Sequence, residues 1–222
     1  MSAVETLPNP VARNLCWRVI QIVLQFFFSV WIGVRSRGIE NLPAGGALLL
    51  INHQSMLDPL LVGLWLKRPV SFLGRENLFD IPVIGWILRN TYVMSIRREA
   101  AGTESMRKSI ARLQHGFYVG LFPEGTRTTD GQLGTLKPGF IAIARRGGTP
   151  IVPVGISGGF QALPRGSYFL RPVKVRVVFG EPIPIERVNQ LCEKGREQEF
   201  VQVVTDRIEE CFQLAETWRT GS

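Results

Sequence analysis

The hydrophobic positions beyond residue 37 alternate between short continuous runs and stretches with the period of a helix. The continuous runs predict buried strands at 47–51, 70–73, 92–96, 117–122, 151–156 and 174–179. The helical periods predict helices at 56–66, 82–90, 103–113 and 139–146, with a final helix whose apolar face contains Val201, Val204, Ile208, Cys211 and Ala215. Thr103 is a predicted N-cap, and Gly147-Gly148 is a predicted helix stop. This alternation predicts an α/β fold with a largely parallel central sheet flanked by helices.

The segment 14–34 is apolar but short. Residues 19–34 carry no charge, and as a helix they would span about 24 Å, which is less than the roughly 30 Å hydrocarbon core of a bilayer. Polar side chains recur every three or four residues and fall on one stripe of that helix: Asn14, Arg18, Gln21, Gln25 and Ser29. The rest of the circumference is apolar.

This pattern favours a monotopic or re-entrant membrane helix, with its polar stripe against the protein body, over a helix that spans the bilayer. Trp17 and Trp31 are near its two ends, where indole rings favour the headgroup layer. We therefore predict an N-terminal membrane-anchoring segment, 1–36, and one domain, 37–222. A buried core helix in a protein without a membrane role is the alternative interpretation.

Composition and charge narrow the class of partner. Lysine and arginine outnumber aspartate and glutamate by 26 to 18 in 222 residues, which gives a net charge of +8 and points to an anionic partner. The cations form short pairs such as Lys67-Arg68 and Arg145-Arg146, not the single basic run typical of nucleic-acid binding, so we expect no nucleic-acid partner. A solvated basic face without a partner remains the simpler interpretation of any one pair.

The cysteines indicate the compartment. The chain has three, with no C-x-x-C pair, which argues against a disulfide framework or a zinc module and fits a reducing environment. Together with the basic surface and the apolar segment, this predicts a membrane-associated protein on the cytoplasmic face.

Candidate chemistry follows the first strand. His53 comes directly after the run at 47–51, where α/β folds place functional groups, and Asp58 comes five residues later. A carboxylate in the first turn of the next helix can hold one imidazole nitrogen and leave the other to accept a proton. The alternative is structural, because Ser55 and Asp58 also match a helix capping box. Spacing alone does not decide between them.

A second candidate is the loop 121–139, which contains Glu124, Gly125, Arg127 and Lys137 among turn-forming residues. A glycine beside an arginine lets the backbone approach an anion while the guanidinium binds it in a planar fork. An ordinary surface turn with a local Glu-Arg pair is the alternative. The G-x-S-x-G pattern around Ser157 is interpreted as a turn, because both histidines precede it, whereas a hydrolase triad would place its histidine after the serine.

Four blocks in this order resemble the glycerophospholipid acyltransferase family, best typified by the 1-acylglycerol-3-phosphate acyltransferases. The blocks are NHQSMLD, with His53 and Asp58; GWILRNTYVMSIRR, ending at Arg98; FPEGTR, with Glu124, Gly125 and Arg127; and IVPVGI. Lys137-Pro138-Gly139 follows the third block, as in many members. The resemblance covers about residues 37–185. Two positions depart from it, because the second block usually has glycine where this chain has Tyr92 and usually has a residue other than arginine where this chain has Arg97.

The resemblance implies acyl transfer from an acyl thioester to the sn-2 hydroxyl of lysophosphatidic acid, giving phosphatidic acid. It implies that His53 acts as general base and that Asp58 orients it. Arg98 and Arg127, with Gly125 and Lys137, would bind the acceptor, and Glu124 would fix Arg127 or a glycerol hydroxyl. The expected partners are membrane lipid and acyl-coenzyme A or acyl carrier protein as co-substrate, with no metal or other cofactor. Another lysolipid or lyso-ornithine acceptor, or a non-catalytic membrane-surface protein, are the alternatives.

Overall fold

The structure is a computed structural model that describes residues 7–12, 14–96 and 101–221. The first half of the chain forms α1 (Leu15–Trp31), β1 (Arg35–Arg37), β2 (Ala47–Ile51), α2 (Asp58–Gly63), β3 (Val70–Ser71), β4 (Leu73–Arg75), α3 (Glu76–Phe79), α4 (Pro82–Asn90) and β5 (Met94–Ile96). The second half forms α5 (Ala101–Gln114), β6 (Tyr118–Leu121), α6 (Gly139–Gly147), β7 (Ile151–Ser157), α7 (Gly159–Ala162), β8 (Arg176–Phe179), α8 (Ile185–Leu191) and α9 (Glu197–Thr220).

The main sheet has six strands in the order β1-β8-β7-β2-β6-β3, and β4 pairs with β5 in a separate ribbon. All neighbours are parallel except β7 and β8. The predicted α/β fold with a largely parallel sheet is confirmed. Because β8 and β1 run against the other strands, their first residues lie at the edge where β2, β6 and β7 end.

The central strand β2 separates two cores. Its residues are fully buried, and their side chains alternate between the two faces, as a pleated strand requires. Ala47, Leu49 and Ile51 pack with residues of α1 and α2. Leu48 and Leu50 pack with residues of α6, α8 and α9. Helices therefore cover both faces, which explains why the run at 47–51 is apolar at every position.

Several predicted boundaries shift. The helix at 56–66 is only Asp58–Gly63, and the strands at 92–96 and 174–179 begin two residues later than predicted. Thr103 is not an N-cap, because α5 is already helical at Ala101. The helix stop is confirmed, since Gly148 caps α6 in the left-handed conformation at φ 62°.

The polar stripe of α1 does rest on the protein body. Gln21 Nε2 donates to Leu66 O at 2.7 Å and Gln25 Nε2 donates to Leu64 O at 2.7 Å. These carbonyls lie just beyond the end of α2, where a helix leaves acceptors unpaired. At its own start, α1 is capped by Asn14, whose Oδ1 accepts from the backbone N–H of Trp17. The amide side chains of α1 thus fasten it to the element that carries Asp58.

The same helix contributes to the core. Phe28 and Ile32 are buried among β-sheet residues, and β1 begins at Arg35. The boundary predicted between residues 36 and 37 therefore falls inside a strand, and the segment before it shares the core of the domain. Trp17 is also buried, against Tyr92 and Phe117, so its predicted position in a headgroup layer is wrong.

The opposite face of α1 is apolar and exposed. Leu15, Val23, Phe26 and Val30 are each at least 60% exposed. Within the described ranges, no helix combines the length and apolar character that crossing a bilayer requires. Helix α1 is therefore docked on the protein on one side and exposes apolar side chains on the other, and its position in a membrane surface stays a prediction.

Tyr92 occupies a conformation that favours glycine. Its φ is 65°, and it is the one non-glycine residue in the described part of the chain with positive φ. This is the position where the resembling family usually has glycine. The tyrosine side chain makes contacts that a glycine could not make. Its hydroxyl donates to Ala12 O at 3.0 Å, and its ring packs with Trp17 and Phe117.

Candidate active site

The site lies at the edge of the sheet where β2, β6 and β7 end. Because these strands are parallel, the segments that follow them meet there. They are residues 52–58 after β2, the loop 121–139 after β6, and the turn at Gly158 that leads into α7. The two blocks singled out in the sequence are therefore adjacent in space.

His53 and Asp58 form a hydrogen-bonded pair. Nδ1 of His53 lies 2.9 Å from Oδ2 of Asp58. The same oxygen accepts from the backbone N–H groups of Gln54 and Ser55, at 2.7 and 2.8 Å. A capping box does not form, because α2 begins at Asp58 with Leu57 as its N-cap, and Ser55 Oγ donates to Leu163 O. The Asp58 carboxylate instead binds both the His53 ring and the backbone that precedes the helix.

This geometry fixes the proton on the imidazole. A carboxylate only accepts hydrogen bonds, so Nδ1 carries the proton and Nε2 has a free lone pair. Phe122 stacks on the ring with 4.0 Å between centroids and 20° between planes, which restricts its rotation. The His53 side chain is 19% exposed, so a substrate can reach it. Burial raises the pKa of the fully buried Asp58 carboxyl, and the hydrogen bonds from His53, Ser55 and Gln54 oppose that shift.

Glu124 holds the backbone of His53 from the other side. Its Oε1 accepts from the His53 N–H at 2.6 Å, and its Oε2 accepts from the Gly134 N–H at 2.8 Å. Glu124 is buried, and this burial raises the pKa of its carboxyl. Both oxygens bind backbone N–H groups, and neither contacts Arg127 within the described residues, while a bond to a glycerol hydroxyl stays a prediction.

Three further polar residues complete the support of His53. The Thr128 N–H donates to His53 O at 2.8 Å, so both backbone groups of His53 are bound by the loop 121–139. Gln54 donates to Gly131 O and accepts from Gly159 N, which joins all three segments. Asn52 exchanges two hydrogen bonds with Ile156. We did not single these out from the sequence, although buried amides directly after an apolar strand must find partners.

The predicted anion-binding residues lie in the same loop. Gly125 has φ 71°, and a side chain there would press on the Lys137 ammonium, which lies beside it. Arg127 is half-buried, and its guanidinium makes no hydrogen bond or ion pair within the described residues. Lys137 is exposed. Arg98, the fourth predicted contact, lies outside the described residues.

Ser157 is not placed as a nucleophile. It is the last residue of β7, so the predicted turn at this position is wrong; the side chain is buried, and its hydroxyl donates to Glu216 and accepts from Arg219 Nε at 2.9 Å. His115 is exposed just after α5 and stacks on Phe117. In the described part of the chain, no group of three or more His, Cys, Asp or Glu side chains could hold a metal ion.

Known acyltransferases are similar to this chain in sequence. Residues 33–157 match the family model described as Acyltransferase. A chloroplastic 1-acyl-sn-glycerol-3-phosphate acyltransferase of Brassica napus is 34% identical over 72% of this chain and 48% of its own. The 1-acyl-sn-glycerol-3-phosphate acyltransferase of Bacillus subtilis is 28% identical over 89% of this chain and 95% of its own. This chain therefore spans about half the length of the plant relative and nearly all of the bacterial one.

The fold also has a solved counterpart. The crystal structure of the 1-acyl-sn-glycerophosphate (LPA) acyltransferase PlsC from Thermotoga maritima superposes with a TM-score of 0.73, at 25% identity over 90% of this chain and 80% of that one. The family model covers more than half of the present chain and includes His53, Asp58 and Glu124. The chain belongs to the acyltransferase family.

Proposed function

We propose that this protein transfers a fatty acyl group from an acyl thioester to the sn-2 hydroxyl of lysophosphatidic acid, giving phosphatidic acid. The observation that carries the proposal is the His53–Asp58 pair, which leaves Nε2 of His53 without a partner among the described residues, on a side chain that is 19% exposed. The names of the similar proteins support the same acceptor.

The geometry suits direct transfer. Nε2 of His53 takes the proton of the acceptor hydroxyl as the oxygen attacks the thioester carbonyl carbon. The Asp58 carboxylate stabilises the imidazolium that forms. When the tetrahedral intermediate collapses, the C–S bond breaks and the imidazolium returns its proton to the departing thiolate. The products are the new ester and a free thiol, so the thioester is a co-substrate and no acyl-enzyme is required.

Arg127, with Gly125 and Lys137, is proposed to bind the acceptor's phosphate. The guanidinium has no protein partner within the described residues, and a planar fork of donors matches phosphate oxygens. The left-handed glycine keeps the backbone close to the anion. Arg98 is proposed to join them, as the family resemblance implies. Glu124 is proposed to support His53 and not to contact the acceptor.

We propose that α1 lies in the membrane surface on the cytoplasmic side. Its docked face reaches α2 through Gln21 and Gln25, so the helix places the reacting edge near the lipid that supplies the acceptor. Its free face presents apolar side chains that gain free energy when they leave water.

The test is product identification by mass spectrometry. Purified protein is incubated with acyl-coenzyme A or with an acyl carrier protein thioester, and with lysophosphatidic acid, glycerol 3-phosphate, lysophosphatidylcholine or lyso-ornithine lipid. Phosphatidic acid as the main product supports the proposal. A different acylated lipid as the main product would reassign the acceptor. No transfer to any acceptor would favour a non-catalytic protein.

A further inference from the structure

A polar cavity lies at the edge of the sheet where β2, β6 and β7 end, apart from the candidate active site. Its volume is about 400 Å³, and it lies between the end of α1 and the first residues of β1 and β8. The side chains that line it include Ser29, Arg35, Trp65, Lys174 and Arg176. None of His53, Asp58, Glu124, Arg127 or Lys137 does so, which separates this cavity from the site above.

The cavity is strongly cationic. Arg35 and Arg176 are direct neighbours across the β1–β8 pair, and Lys174 lies two residues before Arg176 in the chain. No carboxylate lines the cavity within the described residues. The nearby Glu216 is already paired with Arg219 and Ser157. Burial lowers the pKa of Arg176, and the charges of Arg35, Arg37 and Arg219 lower it further. An anion bound here would relieve this mutual repulsion.

One lining cation is held in place by the backbone. Arg176 is 7% exposed, and its Nη1 donates to Gly33 O at 2.6 Å and to Val175 O at 2.8 Å. Its charge therefore stays at the wall of the cavity, where no carboxylate of the described residues neutralises it.

Two backbone carbonyl groups that follow α1 are already paired with donors, so they do not repel an anion in the cavity. The carbonyls at a helix C-terminus normally repel negative charge. Here Ile32 O accepts from Val175 N at 3.2 Å and Gly33 O accepts from Arg176 at 2.6 Å. The cavity therefore presents donors and cations in place of those acceptors, next to the exposed apolar side chains of Val30 and Trp31.

We propose that this cavity is a second anion site, which binds a phosphate group and is distinct from the acyl-transfer centre. Guanidinium and ammonium groups are the cationic donors that phosphate oxygens bind. The headgroup of an anionic phospholipid and a free phosphate ion share this chemistry. The place of the cavity beside the apolar face of α1 suits a headgroup in the membrane surface.

The experiment measures binding of the full chain to phosphatidylcholine vesicles with and without phosphatidic acid. The variant Arg35→Gln/Lys174→Gln removes two exposed cations of the cavity. Arg145→Gln/Arg146→Gln is the matched control, since it removes two exposed cations from α6, on the other face of the sheet. We expect the first variant to lose about tenfold or more of its affinity for the anionic vesicles, as for the loss of one charged hydrogen bond. The control should lose less than about threefold. Equal losses in both variants would overturn the proposal.

A third variant separates a built site from general basic attraction. Arg35→Lys changes no charge but replaces the planar fork of the guanidinium with a single ammonium group. It should weaken binding to anionic vesicles and leave binding to neutral vesicles unchanged, with a thermal melt to confirm the fold. Unchanged binding to anionic vesicles would overturn the proposal of a built site.

Free phosphate identifies the source. If inorganic phosphate competes with the anionic vesicles and raises the melting temperature of the wild type but not of Arg35→Gln/Lys174→Gln, the site takes a soluble anion as well as a headgroup. If it does neither, the headgroup alone is the ligand. Acyl transfer to a short-chain, water-soluble acceptor should be unchanged in Arg35→Gln/Lys174→Gln. A matching loss of kcat/KM there would make the cavity part of the acceptor site and overturn its independence.

Discussion

The backbone N–H of His53 donates a 2.6 Å hydrogen bond to Oε1 of Glu124, a residue 71 positions away in the chain. The base proposed for acyl transfer is thus held on one side by Asp58, through its ring, and on the other by Glu124, through its backbone. The blocks NHQSMLD and FPEGTR act as one unit, since Glu124 of FPEGTR positions His53 of NHQSMLD.

Glu124→Gln should lower kcat by about ten- to hundredfold, as for the loss of one charged hydrogen bond. An amide offers one oxygen, so either His53 N–H or Gly134 N–H would face a donor. KM for lysophosphatidic acid should change little, because Glu124 supports His53 without touching the acceptor. Steady-state kinetics check this, with the exposed Glu186→Gln on α8 as control. A raised KM with normal kcat would show that Glu124 contacts the acceptor after all.

Asp58→Asn and Asp58→Ala should separate charge from scaffolding. Asparagine can keep an oxygen where Oδ2 accepts its three N–H donors, so the imidazole stays in place but the imidazolium loses its counter-charge. We expect kcat to fall by about 10² or more, within the range for impaired base catalysis, with a small change in melting temperature. Asp58→Ala leaves those donors unpaired and should also be clearly less stable. Near-normal turnover in Asp58→Asn would restrict the role of Asp58 to binding the backbone N–H groups of Gln54 and Ser55.

Tyr92→Gly should be net destabilising although it relieves backbone strain. Glycine gains roughly 1–2 kcal/mol in the left-handed region, but loss of the ring from the cluster with Trp17 and Phe117 costs about 3–5 kcal/mol, as for other buried aromatic side chains. Tyr92→Phe should lose only about 0.5–1.5 kcal/mol for the hydroxyl bond to Ala12. Chemical denaturation measures both. A glycine variant as stable as the wild type would mean that the ring does not secure the start of α1.

Phe26→Gln/Val30→Gln should detach α1 from lipid without unfolding the protein, because both side chains are more than 70% exposed. Each apolar side chain that leaves water contributes about 1.5–3 kcal/mol, so the affinity for neutral vesicles should fall by at least about tenfold. Leu214→Gln on α9, another exposed apolar position, is the control. Unchanged vesicle binding together with an unchanged melt would contradict the membrane role. Deletion of α1 would remove Phe28 and Ile32 from the core, so its effect on stability would obscure any effect on membrane binding.

The sequence predicted those parts of the fold that depend on local pattern. The run at 47–51 is a strand buried on both faces, and the polar stripe with Gln21 and Gln25 does face the protein, because burial imposes both patterns directly. The antiparallel pairing of β7 with β8 and the burial of Trp17 depend on distant partners that periodicity does not encode. The same reason explains Glu124. An acid beside an arginine in sequence predicts a local pair, whereas its buried position gives it backbone donors from His53 and Gly134.

The most direct test of His53 as the base is the rate of phosphatidic acid formation from lysophosphatidic acid and an acyl thioester by the wild type and by His53→Ala. Both proteins should give the same thermal melt, since the ring is partly exposed and its backbone bonds to Glu124 and Thr128 are retained. The rate should fall by about 10² to 10⁴ when the general base is removed. A folded His53→Ala protein that formed phosphatidic acid at close to the wild-type rate would contradict the proposed chemistry.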